Sequence, residues 1–75
     1  MTPTLAEMLD LERRHAGRPL GRKIAEIGAR WGISDTRYHQ MLNAAIDTEE
    51  AERLDPITVH RLRRLRGRWM RQRQR

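Results

Sequence analysis

The segment Glu26–Ile46, EIGARWGISDTRYHQMLNAAI, carries four side chains of the kind that read the edge of a base pair: Thr36, His39, Gln40 and Asn43. On a helix turning about 100° per residue, Thr36, Gln40 and Asn43 fall together on one face, and His39 lies on its flank. The opposite face is Tyr38, Met41, Leu42 and Ala45, an apolar stripe that asks to be buried. Asn and Gln amides each offer a donor and an acceptor that match adenine, and a Thr methyl suits the thymine methyl. Arg37 and His39 would then stand at the groove edge. This combination points to double-stranded DNA as the partner and to the major groove as the place of contact.

A second set of side chains has the chemistry of phosphate binding. Residues 1–59 hold eight Lys/Arg against ten Asp/Glu, a net of −2, whereas residues 60–75 hold eight Arg and no acid. The formal charge of +6 therefore comes entirely from the last sixteen residues. Guanidinium groups stay charged and meet phosphate oxygens two at a time, so an arginine block without acidic partners suits a polyanion. Candidate backbone contacts are Arg22, Lys23 and Arg30 in the middle of the chain. At its end the candidates are Arg61, Arg63, Arg64, Arg66, Arg68 and Arg71. Such contacts supply affinity and salt dependence more than sequence choice. The acids Glu49, Glu50 and Glu52 would repel DNA, so they are expected to face away from it, against arginines of the last segment.

Other chemistries find no support in the residues. Without cysteine there is no disulfide and no thiolate metal site. His15, His39 and His60 are far apart and form no ligand pair at helical spacing, so no metal or other cofactor is expected, and His15 and His60 read as surface residues. The single serine, Ser34, is explained as a helix cap, and no glycine-rich phosphate loop follows a strand. The expectation is a protein that is not an enzyme and has no evident small-molecule ligand. No long apolar run suits a membrane, and the opening MTPTLAEMLDLERR lacks the pattern of a signal peptide. A cytoplasmic, nucleoid-associated location follows.

The elements that must position these groups are all helical. Thr2 precedes Pro3, which suits a first helical position, and Thr4 and Glu7 also have capping-box spacing. Leu5, Met8 and Leu9 line one face of this first helix, which Gly17 stops. Pro19 opens a second helix, Leu20 to Trp31, with Leu20, Ile24, Ile27 and Trp31 on one face and Gly32 as its left-handed stop. Ser34 caps a third helix reaching about Ile46. Asp47 and Glu50 suggest an acidic capping box for a short helix to Leu54. Asp55 and Pro56 begin a last helix with a narrow seam of Val59, Leu62, Leu65 and Trp69, in which Gly67 is expected to bend or fray the end.

The fold class predicted is all-α: a small bundle of four to five helices with a basic C-terminal helix. Residues 1–58 form the main domain, with a turn near 31–34 and a reading helix over 34–46. Residues 56–75 form the arginine-rich helix. Its seam could pair with a second copy, giving a homodimer, but folding back onto the monomer core is favoured.

The stretch Ile24 to Asn43 resembles the helix-turn-helix of DNA-binding proteins. That pattern wants a small residue inside the first helix so that the second can cross closely, and Gly28 stands there. It wants a glycine at the turn, and Gly32 stands there. Ile27, Trp31, Ile33, Tyr38 and Met41 occupy its inward apolar places. Over about two thirds of its length the chain is also similar to small, mostly uncharacterised helix-turn-helix proteins of actinobacteria and their phages. GISDTRYHQMLNAAID, LDP and VHRLRRLRGRW carry that likeness, with His39 where those relatives have a second aromatic residue. The resemblance implies a small transcription regulator that binds duplex DNA. Two other readings stay open. One is an adaptor docking on a host transcription protein. The other is an RNA binder acting through RLRRLRGRWMRQRQR.

Overall fold

Thr4, rather than Thr2 with Pro3, begins the first helix, with both halves of a capping box. Its hydroxyl accepts from the Glu7 backbone N–H at 3.2 Å, and Glu7 Oε1 accepts from the Thr4 N–H at 2.9 Å. The computed structural model describes the backbone of residues 1–73 and the side chains of residues 1–68. Five helices span that length: α1 (Leu5–Arg14), α2 (Leu20–Trp31), α3 (Asp35–Ala45), α4 (Glu49–Leu54) and α5 (Pro56–Arg73). The all-helical expectation holds, with no strand among the described residues.

The connections follow their residue types. Gly17 and Gly32 take φ of +73° and +64°, a left-handed conformation that costs a residue with a Cβ about 1–2 kcal/mol. Gly32 closes α2 by donating its N–H to the Gly28 carbonyl at 3.0 Å. Only Ile33 and Ser34 then separate it from α3, whose first turn is capped by the Ser34 hydroxyl accepting from Arg37 N–H at 3.1 Å. Asp55 caps α5 through the Thr58 N–H at 3.2 Å. The cap of α4 is Thr48, which accepts from Ala51 N–H at 3.2 Å, and not the Asp47/Glu50 pair. A hydroxyl one residue later satisfies the same orphan donors, and Asp47 is left for α5.

The core draws on every helix. Met8, Leu9 and Leu11 of α1 meet Ile27 and Trp31 of α2, Tyr38 and Leu42 of α3, Ile46, Ala51 of α4 and Val59 of α5. Trp31 and Tyr38 stack across the α2–α3 corner, with ring centroids 6.0 Å apart and planes 10° from parallel. Two sequence expectations fail here. Leu20, placed on the buried face of α2, is 51% exposed. Gly28 was to let α3 cross closely, yet a Cβ built there meets nothing within 4 Å. The corner is held by Ile27, Trp31 and Tyr38, so the close crossing does not pass over Gly28.

Along α5, Val59 is fully buried and Leu62 packs on the core. The seam therefore folds back onto the bundle at its start, while Leu65 remains 42% exposed. Helix α5 runs through Gly67 to Arg73. Trp69 and Arg71 lie outside the residues whose side chains are described.

Candidate nucleic-acid interface

Glu12 organises the reading helix from behind. It is 5% exposed on α1. Its Oε1 accepts from Lys23 Nζ of α2 at 3.0 Å, and its Oε2 accepts from the Tyr38 hydroxyl of α3 at 2.7 Å. One buried carboxylate thus joins three helices, and each of its oxygens is satisfied. Burial and the Glu12 charge push the Tyr38 phenol far above its ordinary range, so it stays a hydrogen-bond donor. Lys23 Nζ also lies 5.8 Å from the Tyr38 ring centre. Sequence reading placed Lys23 on a phosphate, but its ammonium is spent inside the protein. Its spacing from the apolar line of α2 gave no sign of this, because the partner is an acid on another helix.

With Tyr38 and Leu42 turned inward, the opposite face of α3 is presented to solvent. Thr36, Arg37, Gln40 and Asn43 are all exposed, and none of their side chains has a hydrogen-bond partner among the described residues. Thr36, Gln40 and Asn43 share the face opposite Tyr38, with Arg37 beside them. His39 is half-buried on the flank. Its Nδ1–H donates to the Asp35 carbonyl at 2.9 Å and lies 2.6 Å from the Asp35 carboxylate. The ring stands edge-on to Tyr38, centroids 5.1 Å apart. Only Nε2 is left to meet a ligand.

The arginines divide into two groups. Arg61 donates to the Glu12 backbone carbonyl at 3.0 Å. Arg63 donates twice to the Ile46 carbonyl, at 3.1 and 2.7 Å, closing the C-terminus of α3. Arg66 forms a two-pronged pair with Asp47 at 2.9 and 3.1 Å and also reaches the Asn43 carbonyl. Arg30 pairs with Glu26 and Glu7 and lies 4.5 Å over the Trp31 ring. These four, expected along a phosphate backbone, stitch the bundle together instead. Arg22, Arg64 and Arg68 are exposed and have no partner among the described residues. Arg63 and Arg66 are drawn in because α5 lies against the C-terminus of α3, whose open carbonyls attract the nearest guanidinium groups. Arg61 instead meets a carbonyl of α1, and Arg30 meets acids of α1 and α2.

A second cluster surrounds Glu26. Its carboxylate receives Arg14 at 2.7 Å, His15 Nε2 at 2.9 Å and Arg30 at 3.3 Å. Arg14 foremost, then His15, hold its pKa down at about 2. His15, read as a surface residue, is therefore a half-buried partner of Glu26. His60 does lie at the surface, donating to Glu52 at 2.8 Å. Glu52 also has Arg63 of α5 at 3.9 Å, as expected of that acid. Glu49 and Glu50 are exposed.

The family model described as a protein of unknown function, DUF3263, matches residues 1–75. The chain belongs to the DUF3263 family. No curated protein and no solved structure matches it. In this DUF3263 chain, no described helix is long and apolar enough to cross a membrane.

Proposed function

We propose that this DUF3263 protein binds double-stranded DNA in a sequence-dependent way, with α3 in the major groove, and acts as a small transcription regulator. The observation that carries this reading is the outer face of α3. Thr36, Arg37, Gln40 and Asn43 stand free on a helix whose rotation is fixed from behind by Tyr38 and Leu42. An amide that reads adenine is useful only if its position does not drift, and a buried anchor of this kind supplies that rigidity. In this arrangement Gln40 and Asn43 meet base edges, Thr36 meets a thymine methyl, and Arg37 and His39 Nε2 stand at the groove edge.

The phosphate contacts come from Arg22, Arg64 and Arg68, whose guanidinium groups are not engaged within the described chain. Helix α2 follows Pro19 at its N-cap, with no side-chain cap. Its first N–H groups, beside Arg22, suit a phosphate oxygen. The resemblance to actinobacterial and phage helix-turn-helix proteins supports the same reading and a phage-encoded origin.

A selection from random duplex DNA at two salt concentrations tests it. A motif recovered at both supports sequence reading by α3. Retention without a motif, lost at the higher salt, leaves only polyanion binding and rejects the proposal.

A further inference from the structure

Behind the reading face, α3 borders an open groove of about 880 Å3 that it shares with the α1–α2 connection and α5. Its apolar lining is Leu20, Leu42, Ile46, Leu62 and Leu65. Leu20 and Leu65 are 51% and 42% exposed, although leucines elsewhere in the bundle are mostly covered. Around them stand Arg18, Lys23, Arg61 and Arg66, with Glu12 as the acid among the described lining residues. Lys23 is paired with Glu12 and Arg66 with Asp47, which leaves Arg18 and Arg61 as the cations of the rim without a carboxylate partner among the described residues. Glu12 is already engaged with Lys23 and Tyr38. Arg61 is bonded to a neutral carbonyl and forms no ion pair among the described residues.

We propose that this groove is the docking site of an acidic amphipathic helix from a partner protein. Leucines with a basic surround ask for a ligand that is apolar along one face and anionic along its edges. A helix with apolar residues at i, i+3 or i+4, and i+7, flanked by Asp and Glu, supplies both. Duplex DNA does not fit, because phosphates gain nothing from a leucine floor. A second copy docking through the same face would bring one basic rim against another, which is unfavourable in an isologous contact. Asn43, proposed to meet a base edge, and His39 at its flank also line the groove, so a bound helix lies next to DNA held on α3. The partner would thereby be delivered to a DNA site.

The test is a selection from displayed peptides of about 16 residues, some four helical turns. The full chain is the bait, and the enriched peptides are then titrated by fluorescence anisotropy. The paired variant Leu20→Ser/Leu65→Ser changes two exposed residues without altering charge, and circular dichroism checks its fold. Arg18→Ala, also at an exposed site, tests the rim. The proposal expects enriched peptides to carry the acidic amphipathic pattern. It expects binding about tenfold weaker to each variant and weaker again at high salt. It is overturned if no peptide is enriched, if enriched peptides lack acids, or if they bind the variants as tightly as the parent. It is equally overturned if sedimentation shows a dimer that Leu65→Ser dissolves, since a second copy would then fill the groove.

Discussion

The Tyr38 hydroxyl and the Glu12 carboxylate, twenty-six residues apart in the chain, meet at 2.7 Å inside the bundle. Through this bond the outer face of α3 is referenced to α1, and through Lys23 to α2. The contact fixes the position of α3 within the bundle.

Breaking that network should be costly. Tyr38→Phe leaves the ring in place but removes one donor from a buried carboxylate, with an expected loss of about 1–2 kcal/mol. Lys23→Met strips Glu12 of its counter-charge and should cost about 3 kcal/mol. Urea denaturation of both variants checks the order. A harmless Lys23→Met would show that the ammonium does not hold the carboxylate.

Two glycines of the same corner should respond in opposite directions. Gly28 is an exposed helix-interior residue with open space at its Cβ position, so Gly28→Ala should stabilise by about 0.5–1 kcal/mol. Gly32 holds φ at +64°, so Gly32→Ala should destabilise by about 1 kcal/mol or more. Thermal melts of the pair decide whether α3 is positioned by a close crossing or by the αL turn.

Acid stability should report the Glu26 cluster. The pKa of Glu26 is held at about 2, below its ordinary value of 4.5. The depressed value means that its stabilisation is fully present above about pH 4.5 and is lost as pH falls toward 2. Because the cluster is open to water, the expected effect is about 1 kcal/mol rather than the full equivalent of the shift. Glu26→Gln should be less stable than the parent at pH 6 and nearly equal to it at pH 2. An equal difference at both pH values would mean that the carboxylate charge is not the cause.

Arginine substitutions should separate into two classes. Arg63→Ala removes both bonds to the Ile46 carbonyl and should lower stability by about 1–2 kcal/mol, leaving the salt slope of DNA binding unchanged. Arg22→Ala, Arg64→Ala and Arg68→Ala should leave stability nearly untouched and reduce the salt slope by about one each. Affinity measured across a salt series, beside a melt of each variant, checks both halves.

The helices and most of their caps were legible because they depend on neighbours in the chain, although the α4 cap falls on Thr48, one residue after the Asp47 expected. Thr4 with Glu7, Gly32, Ser34, and Asp55 with Pro56 act within one turn, and periodicity finds the rest. The outward set on α3 follows from the same periodicity. What escaped was the pairing between helices. Nothing local to Lys23, His15, Arg61, Arg63 or Arg66 reveals an acid or an open carbonyl on another element, and a basic residue off the apolar stripe looks free in sequence. The role given to Gly28 failed for the same reason, since a motif supplies spacing but not the depth at which two helices cross.

The most direct measurement compares the parent chain with Gln40→Ala/Asn43→Ala in parallel selections from random duplex DNA. Both substituted side chains are exposed and unpartnered, so the fold should survive. If α3 reads bases, the parent recovers a motif, and the double variant loses preference at one or more positions while keeping most of its non-specific affinity. An identical motif from both proteins, or none from either, would contradict the placement of α3 in the major groove.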